Sequence, residues 1–332
     1  KAIKIPVQIL WSREEDIQHG YYHSGSKSRF QIALGKDGKP KQFMNQFVKP
    51  SHWTSRFQIL SMLDFDPYSH YQTAHSHLIN KKFPTQFPVK HYYDIENVDV
   101  KYRNLDLGIP NGFFRTVFLS NNFFLESAID ECAVLSKSDP LEYRKQLISN
   151  HPRIIQVLDK LKTLSNWNEK LPKGKGKGIA LTQMIGKGIV ASVVQVAIRK
   201  RNKLKIEKVD VVVDFGKIIN PDIVLSQVEG SVVMGISVAL KEEITFHDGR
   251  VSQSNYDDYR IARMKDCPDI NVTIIESDED VRGIDGSLMP ILPAITNGHR
   301  MNDDVIFTQA SYFPGFVNGP RLSLNGAHIS HL

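Results

Sequence analysis

The amino-acid sequence predicts an α+β protein of 332 residues. Stretches with apolar residues at helical spacing predict several helices, and β-branched runs joined by short turns predict antiparallel hairpins. Long helices combined with such hairpins are typical of α+β folds. Apolar residues make up 41% of the chain and charged residues 23%, which is the balance of a folded globular protein and not of a disordered one.

The N-terminal third predicts short strands around one capped helix. The strands are predicted at residues 5–10, 30–34 and 41–48, where apolar and polar side chains alternate. Ser12 precedes an acidic run and therefore marks a helix start. Asp37 and Gly38 form a turn pair between the second and third strands, which predicts a hairpin. Residues 50–110 are rich in aromatic side chains and histidine without a clear period, so we expect loops and short strands there.

Three helices are predicted in the middle of the chain. The first begins at Asn122 and is amphipathic, because apolar residues recur at helical spacing at Leu125, Ala128, Ile129, Cys132 and Leu135. Asp139 caps the second helix, with proline at its first position. Residues 151–164 form the third. Residues 171–178 combine proline, glycine and lysine, so we expect a mobile linker between domains there, and not a basic functional patch.

The second half of the chain predicts a sheet around one long helix. The strands are predicted at residues 192–199, 205–214 and 270–276, with a hairpin over residues 243–253. Gly216 ends the second of these strands, and Asn220 caps a helix over residues 223–240. Polar residues interrupt this apolar helix, which suits burial in protein better than burial in lipid. We therefore expect no membrane span.

Charge and cysteine content exclude several functions. The net charge is +6, but lysine and arginine are spread along the chain, so a nucleic-acid-binding role is not indicated. Cys132 and Cys267 are the only cysteines, whereas an iron–sulfur cluster normally takes four thiolates, so we expect no such cluster in this chain. His75 and His77 have no third ligand at a suitable spacing, and metal binding by protein side chains is weakly supported.

Three segments could carry chemistry on their residues alone. Arg115 lies between aromatic residues and a threonine, where it can bind an anion, stack on a ring, or simply pack at the surface. Gln227 and Gly230 interrupt the long apolar helix, which favours either close helix packing or the approach of a flat ligand. Asp285 lies between glycines ahead of a proline-rich segment, where a carboxylate can act as a general base. An Asp-Gly pair is more often only a turn.

Several sequence motifs between residue 1 and about residue 298 follow one another in an order that can be compared with that of known protein families. They are PVQILWSREEDIQHGYY, GIPNGFFRTVFLSNNFFLESAIDECA, DPLEYRKQL, GKGIAL, VDFGKIINPDIVLSQVEGSVVMGISVAL, GRVSQSNYDDYRIARM and PDINVTIIES. In this order they resemble the large, molybdopterin-binding subunit of xanthine-oxidase-type molybdenum hydroxylases. The isoquinoline 1-oxidoreductase branch is the most similar.

The resemblance implies a fold, a cofactor and a reaction. The fold is a molybdenum cofactor-binding domain with two subdomains of mixed sheets and packed helices. The cofactor is molybdenum–molybdopterin, in its cytosine dinucleotide form, and the protein supplies no metal ligand. The reaction hydroxylates an electron-poor carbon, such as one in an N-heteroaromatic ring, with water as the oxygen source. An aldehyde dehydrogenase of the same family and a catalytically silent subunit-association domain remain the alternatives.

The family's functional residues fall on four positions of this chain. Its cofactor-contacting glutamine and the glycine of the same Q-x-E-G motif fall on Gln227 and Gly230, and its loop arginine falls on Arg115. Its catalytic glutamate falls on Asp285, because the pattern that follows matches at Pro290, Pro293, Ala294 and Asn297. Aspartate is about one methylene shorter, and Gly286 replaces the family's proline. A displacement near 1 Å can lower the rate roughly 100-fold.

The resemblance also implies an organisation and partners. Residues 1–150 correspond to the C-terminal part of a first molybdopterin-binding domain, residues 151–298 to a second such domain, and residues 299–332 to a divergent tail. We expect the upstream portion of the large subunit, a [2Fe–2S] small subunit or cytochrome as electron acceptor, and a small-molecule substrate as partners. The compartment, cytoplasmic or periplasmic, stays open, since a targeting signal would lie upstream of the chain.

Overall fold

A computed structural model describes residues 5–23, 25–50, 92–105, 107–112, 115, 119–183, 188–199, 203–300 and 328–331. The helices are α1 (Arg13–Gln18), α2 (Leu119–Leu135), α3 (Pro140–Leu147), α4 (Pro152–Leu164), α5 (Pro221–Leu240) and α6 (Ile291–Arg300). The strands are β1 (Tyr22–His23), β2 (Lys27–Leu34), β3 (Pro40–Lys49), β4 (Asn97–Asn104), β5 (Asn111–Gly112), β6 (Lys175–Gln183), β7 (Ile189–Arg199), β8 (Lys203–Asp214), β9 (Phe246–His247), β10 (Arg250–Val251), β11 (Asp269–Ile274) and β12 (His328–His331). These elements confirm the predicted α+β fold class.

The first sheet has the strand order β12-β2-β3-β4. Strands β2 and β3 are antiparallel, as the turn pair Asp37–Gly38 predicts, whereas β12 and β4 join the edges in parallel. Residues 5–10 form no strand, contrary to the prediction, because they lie exposed and pair with no strand in the described part of the chain. Residues 51–91, which include His75 and His77, lie outside the described residues. The end of the tail contributes β12.

The second sheet has the strand order β11-β8-β7-β6. Strands β6, β7 and β8 are antiparallel, while β11 runs parallel to β8; β7, β8 and β11 match predicted strands, whereas β6 was not predicted. Nearly every residue of β7 is buried, because α4 and α6 both pack on this sheet. The hairpin predicted over residues 243–253 is confirmed by β9 and β10.

The predicted linker over residues 171–178 is wrong, because Lys175 begins strand β6. Lys177 is buried and donates a hydrogen bond to the carbonyl of Asn166 over 2.6 Å. Gly178 lies against the backbone of α6, where a Cβ atom would collide with the nitrogen of Gly298. The glycines that suggested a loop therefore permit a close approach between a strand and a helix.

The predicted helices are present at the predicted positions, but their pattern of burial is not always the expected one. Helix α2 is buried on nearly all sides from Leu119 to Asp130 and is not amphipathic as expected, because α3, α6 and both sheets enclose it. The carboxylate of Asp139 accepts the amides that begin α3, and the side chain of Asn220 accepts the amide of Ile223 at the start of α5. Helix α6 was not predicted, because its start was read as a proline-rich segment; Pro290 precedes the helix and Pro293 lies in its first turn, where proline is tolerated.

A buried ion network holds α2, α3 and β6 together. The guanidinium of Arg144, which is inaccessible to solvent, lies 3.0 Å from the carboxylate of Glu126 and 3.1 Å from that of Asp130. The same carboxylate of Glu126 accepts hydrogen bonds from the hydroxyl of Tyr93 and the amide of Leu181. Burial alone lowers the pKa of Arg144, but Glu126 and the other acidic neighbours outweigh it and raise that pKa. Arg144 is therefore charged in the protein interior.

Replacing Arg144 with alanine would leave two buried carboxylates without their counter-ion. We expect Arg144→Ala to lower the free energy of unfolding by about 3–5 kcal/mol, which urea titration would measure. Lys145→Ala is the matched control on the same helix, since Lys145 forms only surface ion pairs, and should cost less than about 1 kcal/mol. Equal losses in the two variants would contradict this assignment.

The two cysteines should differ in reactivity. Cys132 is fully buried in α2, and burial, together with the nearby acidic Glu131 and Asp130, raises the pKa of its thiol. Cys267 is exposed, and both cysteines are free. Because the thiolate is the reactive form, we expect Ellman's reagent at about pH 8 to label Cys267 alone in the native protein. Denaturant should expose Cys132, and Cys267→Ser should abolish native labelling.

Candidate functional site

Helix α5 carries two of the residues singled out in the sequence. Gln227 is half-buried, and its side-chain amide makes no hydrogen bond within the described part of the chain. Gly230 is exposed, and no described atom lies within 4 Å of the position that a Cβ atom would take. The packing explanation for Gly230 therefore does not hold, whereas Gly235 does pack closely, with Ile291 of α6 2.9 Å from its hypothetical Cβ atom.

Arg115 reaches the same stretch of α5 from the other half of the chain. Its backbone is in the left-handed region, with φ of +52°, which is uncommon for a residue with a side chain. Its guanidinium Nη2 donates to Oγ of Ser231 over 2.9 Å, and Nη1 lies 3.5 Å from Sδ of Met234. The structure thus places the guanidinium of Arg115 against Ser231, one helical turn after Gln227.

Ser231 is a site residue that the sequence did not single out. Its hydroxyl is buried, donates to the carbonyl of Gln227 over 2.7 Å, and accepts the bond from Arg115. It therefore connects two of the predicted cofactor-binding residues through one oxygen atom. The available signal was a small polar residue four positions after Gln227 in an apolar helix, where a hydroxyl bonds back to the preceding turn.

Asp285 begins a 3₁₀ turn over Asp285–Leu288, as an Asp-Gly pair favours. This turn packs against α5, while residues 286–288 are buried. The carboxylate of Asp285 is exposed and has no hydrogen-bond partner among the described residues. Helix α5 therefore carries Gln227 and Gly230, and both Arg115 and the turn of Asp285 contact it. The amide of Gln227 and the carboxylate of Asp285 are available to a ligand.

The turn of Asp285 is held on its C-terminal side by the core. Asn122 of α2 donates to the carbonyl of Met289 over 3.2 Å, and both side chains are buried. Ile291 then packs on Gly235 of α5. Residues that follow Asp285 are consequently fixed to both α2 and α5, so the carboxylate stands on a rigid support.

A cavity of about 310 Å³ lies elsewhere, beside the C-terminal end of α5. Its lining is mainly charged and comprises Lys241, Tyr256, Asp257, Arg260, Ile261, Arg263, Lys265 and Asp266. Lys241 and Asp266 pair with each other over 3.2 Å. The cavity contains none of the four predicted site residues, and we do not assign the chemistry to it.

Side chains of the described ranges offer no centre for a metal ion. No group of three or more His, Cys, Asp or Glu residues there could hold one. By length and composition, α5 alone among the described helices could cross a membrane, yet half of its most apolar stretch is buried in the protein. Because α5 packs against β11, α6 and the 3₁₀ turn, it is a core helix.

The chain is similar to a molybdopterin-binding domain family and to several known oxidoreductases. Residues 153–268 match the family described as the molybdopterin cofactor-binding domain. The beta subunit of isoquinoline 1-oxidoreductase from Brevundimonas diminuta is 28% identical over 90% of this chain, which spans 37% of that protein. A nicotinate dehydrogenase subunit from Pseudomonas putida is 25% identical over 83% of this chain and 24% of its own length. A membrane-bound aldehyde dehydrogenase (pyrroloquinoline-quinone) of Gluconacetobacter polyoxogenes is 23% identical over 88% of this chain and 40% of its own length.

Solved structures share the fold. Quinoline 2-oxidoreductase from Pseudomonas putida 86 superposes with a TM-score of 0.68, at 12% identity, over 88% of this chain and 61% of its own. Aldehyde oxidoreductase from Desulfovibrio gigas superposes with a TM-score of 0.66, at 12% identity, over 88% of this chain and 48% of its own. The predicted resemblance to xanthine-oxidase-type enzymes is confirmed. The chain has the fold of their molybdenum cofactor-binding domains.

The bond between Ser231 and Arg115 can be tested directly. Ser231→Ala should free the side chain of Arg115, so that limited trypsin digestion cleaves after Arg115 several-fold faster than in the parent protein. Ser226→Ala is the matched control, because Ser226 makes the same bond to the carbonyl four residues earlier but is exposed and does not contact Arg115. Unchanged cleavage in Ser231→Ala would show that this hydrogen bond does not hold Arg115.

Proposed function

We propose that this chain forms the C-terminal part of the large subunit of a molybdenum-dependent hydroxylase that oxidises an electron-poor carbon of an N-heteroaromatic compound. The observation that carries the proposal is the assembly of Arg115, Gln227 and Gly230 on one stretch of α5, with the turn of Asp285 packed on the same helix. The chain spans 24–40% of the curated relatives described above. Activity therefore belongs to the whole protein.

The residues on this helix fit a molybdopterin cofactor. An amide without a partner at Gln227, open space at Gly230 and the guanidinium of Arg115 supply hydrogen-bond donors, room and positive charge for an anionic pterin. In the proposal, Gln227 and Arg115 hold the cofactor, and Gly230 allows it to approach the helix backbone. No protein ligand to the metal is required, because the metal is carried by the cofactor. We propose the cytosine dinucleotide form.

Asp285 is the proposed general base. When bound, the cofactor supplies the oxidising centre and accepts the two electrons removed from the substrate carbon. Asp285 removes the proton from the attacking water-derived hydroxyl, since its exposed carboxylate has no partner within the described chain. Its side chain is one methylene shorter than glutamate, so its reach depends on the position of the 3₁₀ turn.

The proposed organisation follows the sequence resemblance. Residues 1–150 and 151–298 contribute to two molybdopterin-binding domains, and residues 299–332 form a divergent tail. The electrons leave through a separate [2Fe–2S] subunit or a cytochrome, because Cys132 and Cys267 cannot hold a cluster alone. The upstream portion of the large subunit completes the cleft around a small-molecule substrate.

The second candidate is aldehyde oxidation by the same site. It is favoured by the similarity to the aldehyde dehydrogenase of Gluconacetobacter polyoxogenes. Steady-state assays of the complete protein with N-heterocycles and with aldehydes would separate the two. A higher kcat/KM for N-heterocycles supports the first proposal, and a higher value for aldehydes supports the second.

Removal of the carboxylate of Asp285 should abolish most of the activity. In the complete enzyme we expect Asp285→Ala to lower kcat by about 100-fold or more with unchanged molybdenum content, because general base catalysis contributes roughly 10²–10⁴-fold. Asp285→Glu restores the longer arm and should retain or raise kcat. Asp248→Asn, at the exposed tip of the β9–β10 hairpin, is the control. Unchanged turnover in Asp285→Ala would instead favour a catalytically silent subunit-association domain.

A further inference from the structure

The segment before Asp285, residues 275–282, runs along the end of strand β8 and is called the anchored segment below. The parallel pairing of β11 with β8 ends at Ile274, but backbone hydrogen bonds continue beyond it. The amide of Ile275 donates to Val213, that of Lys217 to Glu279, and that of Arg282 to Phe215, over 2.8, 2.9 and 3.0 Å. The chain is thus anchored to the end of β8 and to the residues just after it, until three residues before Asp285.

One buried carboxylate organises this pairing. Asp214, the last residue of β8, is inaccessible to solvent. Its Oδ1 accepts hydrogen bonds from the amide of Gly216 over 3.0 Å and from the hydroxyl of Ser277 over 2.8 Å. Its Oδ2 accepts a bond from Nε of Arg153 over 2.8 Å. Asp214 therefore ties the end of β8 to the anchored segment and to helix α4.

Arg153 extends the same contact to the anchored segment. Its Nη1 lies 3.7 Å from the carboxylate of Glu279, while Nη2 lies 2.7 Å from Oδ1 of Asp214. Burial raises the pKa of Asp214, but hydrogen bonds from Arg153, Gly216 and Ser277 outweigh it, so the pKa lies below its ordinary value. The ionised carboxylate is consequently the form that holds these donors at neutral pH.

Two glycines allow residues 280–283 to lie close to the ends of strands β7 and β8. Gly216 has a φ of +74°, and a Cβ atom there would collide with the carbonyl of Asp280. A Cβ atom on Gly188 would lie 3.1 Å from the ring of Phe215 and 3.3 Å from the carbonyl of Gly283. The segment therefore lies close against the residues that precede β7 and follow β8, which holds the chain just before the 3₁₀ turn.

We propose that Asp214 is a positioning residue: by anchoring the segment before the 3₁₀ turn, it fixes the position of that turn and thereby of the Asp285 carboxylate. The inference rests on the proposed function, which gives the position of this carboxylate a use. The chain needs such support, because Asp285 has a short arm and Gly286 follows it where a proline would stiffen the turn. Asn122 and Gly235 contact residues that follow the turn, namely Met289 and Ile291, whereas Asp214 binds the segment that precedes the turn.

The test is Asp214→Asn in the complete enzyme. Asparagine keeps the size and one acceptor oxygen but loses the charge that binds Arg153. A hydrogen bond to a charged group is worth roughly tenfold to 100-fold in an equilibrium. We therefore expect amide hydrogen exchange over residues 276–288 to accelerate at least about tenfold. We expect kcat to fall by about 10–100-fold, with KM and molybdenum content unchanged.

Asp210→Asn is the matched control. Asp210 is also buried on β8, and it contacts Lys208 and Asn271 but not the anchored segment. It should lower thermal stability without changing exchange over residues 276–288 or kcat. Ser277→Ala removes a single bond on the segment side and serves as a milder variant if Asp214→Asn does not fold.

Exchange separates this inference from the proposed function. If Asp214→Asn lowers the melting temperature while exchange over residues 276–288 stays unchanged, Asp214 is only a structural residue and the inference is overturned. The same conclusion follows if Ser277→Ala also leaves exchange unchanged. If exchange accelerates but Asp285→Ala keeps full turnover, the anchoring by Asp214 stands and the role of Asp285 as a base is lost.

Discussion

The structure depends on the burial of Arg144 together with Glu126 and Asp130. A charge in the interior costs several kcal/mol unless it is paired and hydrogen-bonded, and here both carboxylates come from α2 and the guanidinium comes from α3. Tyr93 and Leu181 complete the shell around Glu126. Because this set of charges is satisfied only when α2, α3 and β6 meet, it fixes α2, and α2 in turn supports the residues behind Asp285.

The second constraint is the close approach of backbones at glycines. Gly178 of β6 and Gly298 of α6 touch each other directly, and Gly235 of α5 receives Ile291 of α6. A side chain at any of these positions would separate the elements that carry the site. Gly230 differs, because its open surface is not used by the described part of the protein and is available to a bound group. Gly178, Gly235 and Gly298 thus permit close packing of the core elements, whereas Gly230 leaves open space on the surface of α5.

Much of the fold follows from local sequence, because turns, caps and β-branched strands are determined by neighbouring residues. Asp37–Gly38 predicts its hairpin, and Asn220 predicts the start of α5. Residues 171–178 resemble a linker locally because of their glycines and lysines, whereas their actual role depends on α6, far along the chain. The four site residues follow from the resemblance to a family. The position of Ser231 in an apolar helix signals its bond to the preceding turn, but its contact with Arg115 depends on a distant part of the chain.

The hydrogen bond from the amide of Leu181 to the carboxylate of Glu126 has a practical consequence for producing fragments of the protein. The proposed division between residues 1–150 and 151–298 separates this carboxylate from the amide of Leu181 and from Asn297, whose side chain donates to the carbonyls of Glu126 and Ile179. A fragment cut at that division would keep the bonds of Glu126 to Arg144 and Tyr93 but lose those to Leu181 and Asn297, and the carboxylate would be opened to water. Burial of this one carboxylate thus needs residues from both sides of the division.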